Sequence, residues 1–421
     1  MRGQREISSL GTGGFWIGLV LVAAFFFGHV PARAADWPQF LGPQRNGVSA
    51  ETGLLQAWPR EGPPVVWQKD VGAGFSGPVV AGERLILFER IENNEVVLCL
   101  DCASGQERWR FSYATGYVDD FGFDEGPRST PLIAGNRVYT LGAEGTLHCL
   151  ALDDGKKIWQ RSLNTEYQVR KGFFGVGTSP LLEAGLLLVN VGGNEAGIVA
   201  FDKDTGKEVW TATRHQASYS SPVAATVDGM RQAIFFTREG IVFLDPKTGK
   251  VHYSKHWRSR QDASVNAASP VVVGNDVFFS ASYGTGAILL HAGNGGMAEV
   301  WQDKEAMANH YNTCIAHEGH LYGFDGRQET GARLRSIDMQ TGKVDWTQEA
   351  FGCGSMVLAD GNLIILSEHG DLVLVEATPA SYQEKARARV LSSPCRSQIA
   401  LANGKLYARD TKKLVCWNLK K

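Results

Sequence analysis

The sequence predicts an all-β fold: an eight-bladed β-propeller of four-stranded antiparallel blades, its ring closed by pairing the amino-terminal strand with the carboxy-terminal blade. Three observations carry this prediction. A phrase of alternating apolar residues, a tight Gly turn and a closing Trp recurs at spacings of about 42–51 residues, the ~40–50-residue period of a propeller blade. A second motif, Pro-Val-Val-Ala-Gly and its kin, recurs upstream of the phrases. Gly supplies 49 of 421 residues, roughly 12% against a usual ~7%, which fits many turns between short strands.

Residues 1–34 read as an export signal. Arg2 and Arg5 supply the positive start, 13–30 is apolar, and Ala32-Arg33-Ala34 gives the small-x-small pattern for cleavage after Ala34. The rival is an uncleaved anchor, since the apolar run is near the ~18-residue spanning threshold. No Cys precedes Cys99 to carry a lipid. The expectation is a periplasmic or secreted protein with no stable membrane insertion after cleavage. Residues 35–64 then form an extended leader and 65–421 the propeller.

The phrases run LCLDCASGQERW to Trp109, HCLALDDGKKIW to Trp159, VAFDKDTGKEVW to Trp210 and VFLDPKTGKVHY to Tyr253. LLHAGNGGMAEVW to Trp301 and RSIDMQTGKVDW to Trp346 follow, and Trp67 precedes them all. In the Asp-x-x-Thr-Gly-Lys form, Asp accepts turn amide hydrogens and Gly takes the left-handed backbone. The Trp on the next strand is large enough to seal the space between sheets. These are hairpins between third and fourth strands. The ARARV stretch ending at Val390 supplies one more outer strand.

The second motif begins at Pro78, Pro131 and Pro270, with looser copies from Pro180, Pro222, Thr313, Met356 and Gln398. Pro is tolerated at a strand's first residue. Each copy leads into a hydrophobic strand, giving eight hairpins between first and second strands. The count closes if VVWQKD at 65–70 completes the blade formed by the last twenty-odd residues, which removes the free edges of an open sheet.

Charge narrows the function classes. With 42 Lys+Arg against 44 Asp+Glu, no basic excess exists for a nucleic-acid footprint over the whole surface. Seven cysteines in a long chain are no disulfide framework. Cys99, Cys149 and Cys416 share one repeat position that favours small packed side chains. A disulfide between Cys353 and Cys395, near equivalent positions on neighbouring inner strands, is an open alternative.

On these phrases, and on the leader DWPQFLGP at 36–43, the chain resembles the exported bacterial PQQ-like β-propeller repeat proteins. Two branches share that blade. One is the quinoprotein alcohol and glucose dehydrogenases, which hold pyrroloquinoline quinone (PQQ) and Ca²⁺ at the ring's centre. The other is non-catalytic scaffolds such as the lipoprotein subunit of the outer-membrane-protein assembly machine. This chain lacks the adjacent cysteine pair and the haem Cys-x-x-Cys-His of the first branch, and the lipidated first cysteine of the second. No catalytic residue and no metal ligand therefore carries over.

Binding residues concentrate on the long loops of a propeller's one face. At the loop ends, Arg128, Lys171, Tyr219, Asn266, Tyr311 and Arg396 are the candidates for a single axial pocket. Cations beside aromatic and hydroxyl groups suit an anionic or polyhydroxylated ligand, with Arg offering bidentate geometry. The plainer reading is that they satisfy turn backbone and hydrate the channel. The acidic loop at 119–125 offers carboxylates to Ca²⁺, or is a solvated loop beside Arg128. His317-Glu-Gly-His320 is too short for a zincin helix and reads as a hairpin turn.

Three function classes follow. The leading expectation is a monomeric, non-catalytic scaffold binding a protein, peptide or glycan on the loop face, with no cofactor. The alternative is a PQQ-dependent oxidoreductase with PQQ and Ca²⁺. A polysaccharide hydrolase or lyase would need paired carboxylates on inner strands, which the sequence does not locate.

Overall fold

Eight four-stranded antiparallel sheets follow one another around a ring in the computed structural model, which describes residues 36–421. The expected signal segment 1–34 lies outside the described residues. Blades 1 to 7 occupy 79–114, 132–162, 181–212, 223–256, 271–303, 315–348 and 354–389 in chain order. Blade 8 joins Ala400–Ala402, Lys405–Arg409 and Lys413–Asn418 to the outer strand Val65–Asp70. Trp67 pairs with Cys416 and Asp70 with Lys413 across that closing ladder.

The repeat phrase forms the hairpin expected of it. In blade 3, Asp202 Oδ1 accepts the amide hydrogens of Asp204 (3.2 Å) and Thr205 (2.8 Å). Asp245 does the same for Lys247 (2.7 Å) and Thr248 (2.9 Å) in blade 4. The following Gly takes positive φ, as at Gly206 (69°). Each closing indole reaches the next blade rather than its own. Trp109 Nε1 donates to Leu152 O at 2.9 Å and Trp159 Nε1 to Lys203 O at 3.1 Å. The rings lie flat on Gly155 and Gly206, where a Cβ would come within 2.5 and 2.7 Å of ring carbons. The turn glycine therefore serves two purposes, left-handed backbone and a seat for the neighbour's indole.

A second belt joins the blades nearer the axis, one residue before each inner-strand Pro or its equivalent. Thr130 N donates to Ser179 Oγ (2.9 Å), Ser179 N to Ser221 Oγ (2.9 Å), Ser221 N to Ser269 Oγ (3.1 Å) and Ser269 N to Thr313 Oγ1 (2.9 Å). Strand register places the equivalents of that Pro in blades 6 and 8 at Cys314 and Ile399, since Ile315 pairs with Tyr322 and Ala400 with Tyr407 as Val79 pairs with Ile86. That is one residue beyond the expected Thr313 and Gln398. The polar loop ends there carry no Pro to mark the strand start.

The leader runs across the ring. Trp37 exchanges backbone hydrogen bonds with Val80 of blade 1 (2.9 and 2.8 Å), and Pro38 O accepts from Ile133 N of blade 2 (2.8 Å). The Arg45 guanidinium donates to Pro180 O (2.9 Å) and Ser179 O (3.2 Å) at blade 3. Ser49 N then donates to Leu358 O of blade 7 (2.8 Å), and Leu55 N to Leu419 O after blade 8 (2.7 Å). Blades 3 and 7 face each other across an eight-membered ring, so this segment spans the diameter and stoppers the channel. Gly42 and Gly47, both at positive φ, let it turn where a Cβ would strike Trp37 or Ile315.

All seven cysteines are free and buried, Cys353 and Cys395 included, so no disulfide joins those two. Burial pushes the Cys99 and Cys149 thiols up to about 11, which suits small packed side chains rather than reactive thiolates.

Candidate functional site

Inner strands begin at Val79, Leu132, Leu181, Val223, Val271, Ile315 and Ala400. Four residues before each stands Phe75, Arg128, Gly177, Tyr219, Ala267, Tyr311 or Arg396. These seven line one cavity of about 180 Å³ at the long-loop mouth, with Thr130 and Gln398 two residues further on. The site is thus a rosette of one register position repeated around the ring. Phe40 of the leader lines the same cavity, so the stopper forms its floor. The axial pocket expected from the sequence is thus floored by the leader.

Four of the six expected residues, Arg128, Tyr219, Tyr311 and Arg396, meet here. Arg128 is held from below by its own loop. Its Nη2 reaches Asp119 Oδ2 at 3.1 Å and Asp124 O at 3.0 Å, and its guanidinium lies 5.7 to 5.9 Å from the Phe75, Tyr117 and Phe174 rings. Arg396 lies 4.9 Å from the Phe123 ring and 5.6 Å from Phe75. Burial pushes the Tyr219 phenol up to about 12 and Tyr311 well above its ordinary value. Both stay protonated. The Tyr219 oxygen accepts the Phe174 amide hydrogen at 2.8 Å, fixing the loop at 170–176.

Lys171 and Asn266 stand elsewhere. Lys171 Nζ donates to Val118 O (2.8 Å) and Asp120 Oδ1 (2.6 Å), tying two loops together beside a separate cleft of about 1360 Å³. Asn266 is buried; its Nδ2 donates to Thr237 O at 2.8 Å and its carbonyl accepts from the Tyr219 and Ser220 amides at 3.1 Å. It sets the entrance of blade 4 one residue away from the rosette position.

The acidic loop is not simply solvated. The Asp119 side chain is fully buried and accepts the amide hydrogens of Phe121 (3.1 Å), Phe123 (2.9 Å) and Asp124 (3.1 Å). Burial alone would raise its carboxyl. The amide hydrogens and the Arg128 charge outweigh that and hold it below the ordinary value. The His317-Glu-Gly-His320 segment is the turn between Ile315–His317 and His320–Asp325, as expected.

Sequence reading missed Phe75, Phe123, Phe174, His310 and Gln328 in the cavity wall. Phe75 was within reach, because it shares the rosette spacing. His310 sits between Gln328 (Nδ1 to Oε1, 2.6 Å) and the Tyr283 hydroxyl (2.9 Å), and burial lowers its pKa. Among the described residues no group of three or more His, Cys, Asp or Glu is placed to hold a metal ion.

A family profile described as "Outer membrane protein assembly factor BamB" matches residues 92–348, more than half of the chain. The outer membrane protein assembly factor BamB of Moranella endobia (strain PCIT) is 20% identical over 293 residues, 65% of this chain and 71% of that protein. Among solved structures, the quinohemoprotein alcohol dehydrogenase from Comamonas testosteroni superposes with a TM-score of 0.65 at 13% identity, over 91% of this chain and 80% of that one. The computationally designed Ika8 protein superposes with a TM-score of 0.54 at 10% identity, over 89% and 99%. At such identities these structural likenesses speak for the fold alone, shared by an enzyme and a design.

Proposed function

The chain belongs to the outer membrane protein assembly factor BamB family, and from that premise we propose that it is an exported, non-catalytic scaffold binding a protein partner on its long-loop face. Peptide and glycan are the other ligand classes such a face accommodates. The observation that carries this reading is the state of the mouth. Arg128 is occupied by Asp119 and by loop carbonyls, the tyrosines are held protonated, and burial favours neutral His310. Of these, only His310 meets a hydroxyl, that of Tyr283 at 2.9 Å, and its other nitrogen is held by the neutral Gln328 amide rather than by the carboxylate that orients the base of a catalytic triad. What remains is a rigid rim of aromatic and cationic side chains, the composition of a recognition surface.

The residues present do not fit the quinone of the dehydrogenase branch. A cavity of about 180 Å³ falls below the ~300–1000 Å³ of small-molecule sites. The one carboxylate among the described residues of the cavity wall, Glu329, is already paired with Arg327 at 3.2 Å, so none stands free there to hold Ca²⁺ beside the quinone.

Two measurements test the proposal. Incubation with pyrroloquinoline quinone and Ca²⁺ should change neither absorbance nor melting temperature; a shift with dye-coupled alcohol oxidation would overturn it. Recovery of partners from an exported-compartment extract should fall when Arg128→Ala and Arg396→Ala are combined. Equal recovery would remove the mouth from the binding surface.

A further inference from the structure

One sector of the mouth is unlike the rest. Val118, Phe121 and Phe123 stand 56%, 54% and 41% exposed. Phe121 packs edge-on to Phe173 (6.1 Å between centroids) and against Phe174 (5.1 Å). Exposed aromatic rings interleaved with arginines are the composition of interface hot spots rather than of ordinary surface.

Arg128 and Lys171 are paired with Asp119 and Asp120, but two further cations of this sector, Arg396 and Arg238, lack carboxylate partners of their own among the described residues. Arg396 makes no ion pair among the described residues, and its Nε is buried without an acceptor. Arg238 lies 5.4 Å from the Phe173 ring and donates to the carbonyl oxygens of Ser264 (3.0 Å) and Asp262 (2.8 Å). The carboxylate on the cavity's far wall, Glu329, is taken by Arg327 at 3.2 Å. A carboxylate arriving from outside would therefore meet guanidinium groups with N–H donors still to offer it.

The two spaces at this sector also fit together. Tyr219 lines both the axial cavity of about 180 Å³ and the cleft of about 1360 Å³. The first has room for one large side chain. The second exceeds the ~300–1000 Å³ of small-molecule sites and suits a length of chain. We infer that this sector receives an extended segment of a partner polypeptide in which an aromatic side chain is flanked by carboxylates. The ring enters the axial cavity beside Phe123, the carboxylates meet Arg396 and Arg238, and the rest of the segment lies along the cleft. This inference rests on the protein-scaffold reading and names the chemistry of its partner.

The test uses the exported chain and a fluorescein-labelled peptide, Gly-Ser-Asp-Glu-Trp-Asp-Glu-Ser-Gly, followed by anisotropy at low and moderate salt. Replacing its Trp by Ser, or its four acids by Lys, should weaken binding by about tenfold or more. Arg396→Gln in the protein should do the same with the melting temperature unchanged, while Arg396→Lys retains part of the affinity. The paired Phe121→Ser and Phe173→Ser variant should also weaken binding. Equal binding of the Lys peptide, or no loss with Arg396→Gln, overturns the inference.

A photo-crosslinking residue separates the two levels of the argument, placed in cells at Phe121 or at Lys247 in a tight turn of the opposite face. Absent peptide binding with protein cross-links still formed from position 121 leaves the scaffold reading standing and sinks this inference, whereas cross-links from position 247 alone sink both. No protein cross-link from either position sinks both.

Discussion

The Trp67 indole lies on Gly105, and its Nε1 donates to Cys102 O at 3.0 Å. Blade 8 is thereby joined to blade 1, where Lys405 Nζ also donates to Cys102 O at 3.2 Å, so the interlock that links successive blades also links the last to the first. A Cβ at Gly105 would stand 2.7 Å from Trp67 ring carbons, at a φ of 69°.

Gly105→Ala therefore forces both overpacking and left-handed strain, and should cost about 1–3 kcal/mol. Trp67→Ala removes the indole itself and should cost about 3–5 kcal/mol. Denaturant midpoints at constant slope check both. A Gly105→Ala protein as stable as wild type would contradict the packing described.

The stopper should matter to the cavity above it. Arg45→Ala leaves the Ser179 and Pro180 carbonyls without their donor inside the channel, a loss of about 2–3 kcal/mol for bonds from a charged group. Phe40→Ala should instead leave stability nearly intact while deepening the cup. A small hydrophobic dye that gains fluorescence with Phe40→Ala, and not with wild type, would mark the missing floor.

Asp119→Asn should loosen one loop rather than the whole ring. It leaves Arg128 nearly buried beside a neutral group, and breaking such a pair from one side costs about 3 kcal/mol. The cost falls on 117–126, so limited proteolysis there should accelerate well before global unfolding shifts.

Acid should unfold the protein through its repeat turns. Hydrogen bonds from Thr205 and Thr341, and burial outweighed by turn amides at Asp245, leave Asp202, Asp338 and Asp245 below the ordinary carboxylate value. A depressed folded pKa gives stability that is present above the unfolded value of ~3.9 and lost as pH falls through the folded one. Burial raises Glu89 and Glu95, whose contribution runs the other way: present below ~4.3 and lost as pH rises through the raised values. Melting temperature should therefore hold or rise slightly on mild acidification, then drop steeply below about pH 4. An Asp202→Asn, Asp245→Asn double variant should melt lower at pH 7 and converge on wild type as pH falls below the ordinary carboxylate range.

Blade number and ring closure were legible because each repeat phrase is local chemistry: a capping Asp, a left-handed Gly and a large Trp within a dozen residues. The same regularity made Arg128, Tyr219, Tyr311 and Arg396 legible, since one spacing from each strand start aims them at the axis. Asn266 failed by one residue, and its side chain is tied to Thr237 O of blade 4 instead of facing the mouth. Lys171 lies in a loop outside the repeat, where spacing says nothing about direction. The leader's path was hidden for a different reason. Its backbone pairs with strands from blades 1 and 7, and no periodicity within 36–58 encodes partners more than three hundred residues away.

Among the described residues, a stoppered ring leaves one usable door. Anything that enters from the loop side must leave by it, so the molecule cannot act as a conduit between its two surfaces. The opposite, tight-turn surface is then free to face a second neighbour without competing for the first, and a visitor's orientation along the axis is settled before any side chain is read.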